Sequence, residues 1–154
     1  TFDFLIYTVV APTLVIITVI DIEHQIIPDV ITLPGIVLGL AAGSYTIGYI
    51  DSFSGFLLGG GLFYLLAVLS NGGMGGGDIK YIAAAGALVG WQKVLLIIFI
   101  GAFLGSFLGL LQIVVQKKSR KSLIPFGPFL AAATLITLFY GNLLIKLYIE
   151  NLAS

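Results

Sequence analysis

Two aspartates stand where this sequence can do chemistry. Asp21 closes the apolar run of residues 15–20, and Asp78 directly follows residues 72–77, of which five are glycine. Because glycine exposes backbone and resists regular helix, this stretch predicts a break between helices. Two carboxylates that face one cavity can activate water for peptide-bond hydrolysis. One of them, ionised, takes a proton from water, and the other, protonated, polarises the carbonyl.

Composition excludes other hydrolytic centres. The chain has no cysteine, which excludes thiol catalysis, disulfides and cysteine-ligated zinc. Its one histidine, His24, has no second nitrogen or sulfur ligand nearby in the sequence, and we interpret it as a polar loop residue. The sequence offers no serine–histidine pair either. We therefore expect neither a metal nor a cofactor.

Spacing alone leaves simpler roles open for the same residues. Asp78 can cap the helix that starts after the glycines, and Asp21 can be an ordinary interfacial residue. Lys80 can pair with Asp78 or extend to the membrane interface. Glu23 and Asp29 are expected to be solvated loop charges.

The elements that must position these residues are membrane helices. Of the 154 residues, 59% are apolar and 9% are charged, whereas a soluble domain is about 25% charged. The mean hydropathy is +1.15. The formal net charge is zero and the basic residues fall mostly in one short cluster, so we expect a lipid bilayer and no nucleic acid as partner.

Six apolar spans predict an all-α, polytopic membrane protein with about six transmembrane helices in one compact domain over residues 1–154. Spans of about 20 residues suit a hydrocarbon core of roughly 30 Å. Asp51 and Ser52 are expected to form a short turn, and residues 91–93 to form the exit of the fourth span. Glycines at intervals of four predict close helix packing. The spans cover residues 2–20, 30–50, 53–70, 79–90, 94–115 and a last one from Pro125 or Pro128 to 149.

The basic residues predict the orientation. Four of the five residues at 117–121 are Lys or Arg, which places this loop in the cytoplasm. Alternating spans then put residues 21–29 and 71–80 on the same face. Both acidic segments therefore share one side of the membrane.

The fourth span predicts a sunken site. Residues 79–90 would form a helix of only about 18 Å. If Trp91 marks the outer interface, the other end of this helix cannot reach the cytoplasmic surface. Non-helical backbone at that depth requires surrounding protein or a water-filled cavity. We therefore expect Asp78 in a wet pocket below the surface.

Three segments together resemble the type IV prepilin peptidases, which are polytopic aspartic proteases of bacterial inner membranes. Residues 75–80, Gly-Gly-Gly-Asp-Ile-Lys, resemble the family's Gly-x-Gly-Asp-x-Lys signature. In residues 21–29 an aspartate stands seven positions before Pro-Asp, as in the family's other motif. Residues 124–129, Ile-Pro-Phe-Gly-Pro-Phe, resemble the stretch before its final span. Presenilin-like proteases share Gly-x-Gly-Asp alone, so the specificity lies in the three segments in this order.

The resemblance implies an endopeptidase with Asp21 and Asp78 as its catalytic residues. Gly75 and Gly77 match the fixed glycines and are expected to keep side chains out of the substrate's path, and Lys80 matches the motif lysine. The implied substrate is a prepilin or pseudopilin with a short basic leader and an apolar helix, cleaved at the cytoplasmic face of the inner membrane. We expect the acidic residues of the two motifs to attract that leader electrostatically.

Family members often carry a further N-terminal region with paired Cys-x-x-Cys motifs and also N-methylate the new terminus. This sequence has no cysteine and does not begin with methionine, so we expect a piece from which that region is absent, and only the peptidase. Two other classes stay open. A proton-coupled transporter can use the same aspartates as a relay, and a membrane scaffold would need neither of them.

Overall fold

A computed structural model describes residues 2–116 and 125–152 of the chain. The described residues form helices without strands, joined by short connections. The chain is therefore an all-α protein, as predicted. The helices are α1 (Phe2–His24), α2 (Asp29–Thr46), α3 (Tyr49–Leu69), α4 (Gly76–Val89), α5 (Trp91–Gln116) and α6 (Gly127–Leu152).

Two glycines turn the chain at the end of the bundle opposite to the aspartates. Gly48, between α2 and α3, has φ +95°, and Gly90, between α4 and α5, has φ +87°. Residues other than glycine rarely adopt a positive φ, and the chain turns at these two glycines. The predicted turn at Asp51 and Ser52 is wrong, because both residues lie in the first turn of α3. The fourth helix ends at Val89, close to the predicted end near Gly90, but the predicted exit at residues 91–93 is the first turn of α5.

The central element is α4, which packs against α2, α3, α5 and α6. Seven of its 14 residues are buried. Its backbone is approached closely by glycines of α2 and α3. A Cβ added to Gly39 would lie 2.8 Å from the carbonyl oxygen of Ala84, and one added to Gly59 would lie 2.8 Å from that of Ile82. The predicted close packing through glycines is therefore confirmed around α4.

A very close contact joins α3 and α4 backbone to backbone. A Cβ on Gly55 would overlap the carbonyl oxygen of Gly86, and a Cβ on Gly86 would overlap that of Gly55. Three residues before Gly55, the hydroxyl of Ser52 donates to the carbonyl oxygen of Ala87 at 2.6 Å. Only small residues allow this approach. The packing holds α4 at a fixed height in the bundle.

Five of the helices are long and apolar enough to cross a membrane, and together they make the chain a polytopic membrane protein. The exception is α4, whose 14 residues span about 21 Å. It begins at Gly76, three residues earlier than the sequence predicts, yet it remains shorter than a hydrocarbon core of roughly 30 Å. The prediction of a short fourth helix is therefore confirmed.

The first helix stands at the side of the bundle. It packs mainly against α6 and only lightly against α2, and no Cα atom of α1 lies within 8 Å of a Cα atom of α4. An apolar groove of about 740 Å³ follows the gap between α1 and α2, with Tyr81, Ala84, Ala85 and Leu88 of α4 among its lining residues. Any side chains of α1 and α4 that act together must therefore reach across a gap.

Candidate active site

The two motif segments and the start of α6 meet at one end of the bundle. Because the helices alternate in direction, α1 ends there and α2, α4 and α6 begin there. Direct contacts join the three places: Ile27 touches Gly77, Asp29 binds Lys80, and Gly127 binds Asp21. The prediction that residues 21–29 and 71–80 share one face is thus confirmed. The basic cluster that predicted its orientation lies at 117–121, outside the described residues.

Asp21 lies inside α1, three residues before the end of the helix, and its residue surface is 5% exposed. The apolar run before it continues as helix through His24, which is therefore the last residue of α1 and not a loop residue. One carboxylate oxygen, Oδ2, accepts a hydrogen bond of 2.8 Å from the main-chain N–H of Gly127. A buried carboxylate needs such a donor. The interpretation of Asp21 as an ordinary interfacial residue does not fit this environment.

Gly127 is the first residue of α6, and its N–H is one of the donors that a helix start leaves unpaired. The other early donors are accounted for nearby. Pro128 has no N–H, and the N–H groups of Phe129 and Leu130 donate to the carbonyl oxygen of Phe126. A Cβ on Gly127 would lie 2.6 Å from Oδ2 of Asp21. Only glycine therefore fits between α6 and this carboxylate.

Sequence analysis did not single out Gly127. Its segment was noted only as part of a family resemblance, since no spacing rule connects residues 106 positions apart. One signal was present. A helix that starts in an apolar surrounding needs an acceptor for its first N–H groups, and an aspartate at the end of an apolar span is a suitable acceptor.

Asp78 is the third residue of α4. The N-cap position is occupied by Gly75, and no side chain caps the helix there. The alternative in which Asp78 is the cap of the helix is therefore wrong, although its carboxylate still lies near the positive end of the helix dipole. The side chain is partly buried and close enough to Asp21 for the two charges to interact. The structure thus brings the two predicted catalytic residues to one site.

Lys80 binds Asp29. Its Nζ lies 2.6 Å from Oδ1 and 2.7 Å from Oδ2 of the Asp29 carboxylate, which is the first residue of α2. The alternative that paired Lys80 with Asp78 is therefore wrong, and Asp29 begins α2 instead of lying in a loop, although its side chain is 57% exposed. The pair ties the start of α2 to the first turn of α4, where Asp78 is placed.

The two motif glycines have different surroundings. A Cβ on Gly77 would lie 2.9 Å from both the Cβ and the carbonyl oxygen of Ile27, so Gly77 lets α4 begin against the backbone of the segment between α1 and α2. Its expected role of clearing the path of a substrate is wrong, since Ile27 fills that space. Gly75 is exposed, and a Cβ there would lie 3.3 Å from Oδ2 of Asp78. Gly75 therefore keeps space open beside that carboxylate.

Tyr81 lies one helical turn beyond Asp78 and is buried against α6. Its hydroxyl is 2.7 Å from Oγ1 of Thr134 and 3.3 Å from the carbonyl oxygen of Leu130. Thr134 also donates to the carbonyl of Leu130 at 2.8 Å, so the two hydroxyls and this carbonyl form one hydrogen-bonded group. Sequence analysis did not select Tyr81 or Thr134.

The polar atoms available at the site are the oxygen and nitrogen atoms of these few residues. Within residues 2–116 and 125–152, no three His, Cys, Asp or Glu side chains come together in a way that could hold a metal ion. Glu23 and His24 lie on the outside of α1, 3.9 Å apart and both exposed. The arrangement can therefore bind and activate water between two carboxylates.

The family model and the relatives that this chain matches agree with each other. Residues 8–110 match the model of the type IV leader peptidase family. A prepilin leader peptidase/N-methyltransferase of Aeromonas hydrophila is 34% identical over 145 residues, covering 90% of this chain and 50% of that protein. The protein of the same description from Legionella pneumophila is 37% identical over 139 residues, with coverages of 84% and 48%. That of Pseudomonas aeruginosa is 33% identical over 140 residues, with coverages of 86% and 48%.

The chain spans about half the length of the curated relatives it matches. No solved structure gives a significant match.

Proposed function

This chain belongs to the type IV leader peptidase family, and on that premise we propose that it is a membrane aspartic endopeptidase. Its substrates are type IV prepilins or pseudopilins, from which it removes the short basic leader. Asp21 and Asp78 are the catalytic residues, and no cofactor takes part. The enzyme works in the bacterial inner membrane with its site on the cytoplasmic side. The residues that support this proposal concern the peptidase reaction alone, although the names of the relatives also include an N-methyltransferase.

The observation that carries the proposal is the meeting of two carboxylates from separate helices. Asp21 on α1 and Asp78 on α4 are 57 residues apart in sequence, and their charges interact at one end of the bundle. No Cα atom of α1 lies within 8 Å of one of α4, so the two side chains meet across a gap, and we place the attacking water between them. Close carboxylates cannot both ionise cheaply, so the pair shares one proton.

A shared proton is what hydrolysis requires. As the water oxygen adds to the scissile carbonyl carbon, the ionised carboxylate takes a water proton and the protonated carboxyl gives its proton to the carbonyl oxygen. The resulting diol is neutral. The amide nitrogen then takes the proton held by the first carboxyl, the C–N bond breaks, and a diol hydroxyl returns a proton to the second carboxylate. The pair ends with one proton, as it began.

Electrostatic attraction of a basic leader rests on fewer charges than the sequence predicts. Asp29 is bound to Lys80, which compensates its charge, whereas Glu23 is exposed next to the end of α1. We propose that Glu23 is the remaining acidic group outside the catalytic pair that faces a leader. Charges of this kind act mainly on association and weaken with salt.

Cleavage of a prepilin by the purified protein tests the function. We expect the unmodified protein to cut the leader and the Asp21→Asn and Asp78→Asn variants each to lose at least about a thousandfold in rate, as is usual for members of a catalytic unit. Release of the leader is followed by mass spectrometry. Asp51→Asn, in α3 at the opposite end of the bundle, is the matched control and keeps full activity.

Two outcomes would contradict the proposal. Cleavage that survives in both aspartate variants would exclude the two-carboxylate mechanism. Solute flux through reconstituted vesicles, lost in the same variants without any cleavage by the unmodified protein, would favour a proton-coupled transporter. A scaffold would show neither activity.

A further inference from the structure

The first two turns of α6 lie between the helices that carry the two aspartates. No Cα atom of α1 comes within 8 Å of one of α4, whereas α6 contacts both helices. At its first residue, the N–H of Gly127 donates to Asp21 at 2.8 Å. Seven residues later, Oγ1 of Thr134 is hydrogen-bonded at 2.7 Å to the hydroxyl of Tyr81, which stands three residues after Asp78 on α4. The same short helical segment thus contacts both sides of the site.

Each of these contacts is rigid. Asp21 is 5% exposed, Tyr81 4% and Thr134 2%, so their hydrogen bonds are shielded from competing water. Gly127 leaves no space for a side chain, because an added Cβ would meet Asp21 at 2.6 Å. The hydroxyl of Thr134 is itself fixed by donating to Leu130 of the same helix. The distance between the two contacts on α6 is set by a continuous helix.

We propose that the start of α6 is the element that sets the separation of the two aspartates, with Gly127 and Tyr81 as its positioning residues. Gly127 orients the Asp21 carboxylate through Oδ2, which directs its other oxygen away from α6. Tyr81 fixes the rotation and height of the first turn of α4 relative to the same helix, and with it the side chain of Asp78. Neither residue takes part in the chemistry. The inference rests on the proposed peptidase function for its kinetic test.

Kinetics of two variants test the proposal in the protein reconstituted in lipid nanodiscs. Gly127→Ala displaces the Asp21 carboxylate, and Tyr81→Phe removes one hydroxyl without adding atoms. We expect kcat to fall by about 10- to 100-fold in each, because small displacements of a reacting group are costly. KM is unchanged, since neither residue binds substrate. A general loss of folding would instead lower the thermal stability of the variant together with the fraction of active protein.

Matched controls separate positioning from packing. Gly141→Ala introduces a methyl group on α6 at a buried glycine where the nearest contact is a side-chain methyl of Thr137 at 3.0 Å. Tyr7→Phe removes a hydroxyl that also reaches a carbonyl of α6, that of Leu138 at 3.5 Å. Both keep kcat. Equal falls in kcat for controls and test variants would overturn the proposal. If Gly127→Ala does not fold, Tyr81→Phe decides.

A structural readout distinguishes failure of the inference from failure of the function. The amide proton of Gly127 donates to a carboxylate, and Asp21→Asn replaces that acceptor with a neutral one. In the ¹⁵N-labelled protein we expect its resonance to move upfield in Asp21→Asn and to stay nearly unchanged in Asp51→Asn. An unmoved resonance would exclude the contact even in a protein that cleaves prepilin. The expected shift in a protein without peptidase activity would leave the contact established and remove the proposed function.

Discussion

At the scale of single residues, three polar side chains of the site are each held by a partner from another helix. Asp21 is bound by Gly127, Lys80 by Asp29 and Tyr81 by Thr134. Sequence reasoning found Asp21, Asp78 and Lys80 because apolar runs and a short motif mark them. It could not find the partners, since a contact between distant residues depends on how the helices are packed and leaves no spacing in the sequence.

The pair of Lys80 and Asp29 gives a prediction about charge. The side chains are 38% and 57% exposed, so their attraction contributes at most about 1 kcal/mol to the free energy of unfolding. Because the pair holds the start of α2 against the turn that carries Asp78, we expect Lys80→Ala to lower kcat/KM several-fold with little change in thermal stability. The exchanged pair, Lys80→Asp with Asp29→Lys, restores part of that loss.

Kinetics of prepilin cleavage and thermal unfolding of each variant measure both effects. Lys146→Ala, which removes the exposed pair with Glu150 on α6 at 3.6 Å, is the control and changes neither quantity. A well-folded exchanged pair that is no more active than the single variants would show that Lys80 acts otherwise than through Asp29.

At the scale of elements, the start of α4 depends on glycines that allow close packing. The sequence predicts the break before α4 correctly, but it places the helix start at Ile79, because glycines in a first turn look like loop. In the folded protein, Gly76 and Gly77 are helical, and Gly77 packs against Ile27. Such a packing requirement looks the same in the sequence as a requirement for flexibility.

Substitutions at two neighbouring glycines are therefore expected to have different effects on the free energy of unfolding. Gly77→Ala places a methyl group 2.9 Å from the Cβ and carbonyl oxygen of Ile27, and we expect a loss of about 1–3 kcal/mol in the free energy of unfolding together with lower peptidase activity. Gly76→Ala has open space within 4 Å and is expected to be neutral or to stabilise by up to about 1 kcal/mol.

Denaturant unfolding of both variants in the same detergent checks this prediction. Equal stability of the two would mean that the segment before α2 moves away from Gly77 without cost. In that case the contact with Ile27 would not determine where α4 begins.

At the scale of the whole molecule, the bundle is organised around its shortest helix. Apolar spans and glycine intervals predict an all-α membrane protein with close packing, because both properties follow directly from the types of residue and their spacing. They do not predict that α4 would be central or that α1 would stand apart from it. Both features follow from which glycine faces which helix, as at Gly55 and Gly86. The gap that separates the two aspartates is therefore a property of the assembled bundle.

The length of α4 has a consequence for the surrounding lipid. Its 14 residues span about 21 Å, whereas the 26 residues each of α5 and α6 span about 39 Å. Hydrophobic mismatch acts on the whole bundle, and α4, with Asp78 in its first turn, is the helix that is clearly shorter than the hydrocarbon core. A thicker bilayer raises the apolar boundary around Asp78 and reduces its access to water.

Cleavage should accordingly depend on acyl chain length. In nanodiscs of phosphatidylcholines from dimyristoyl to dieicosenoyl, we expect the rate of prepilin cleavage to fall as the chains lengthen, while the thermal stability of the protein stays level or rises. A rate that is independent of chain length would contradict this expectation. If the rate falls as expected, the lipid acts as part of the enzyme, since its thickness determines how readily water reaches the aspartates.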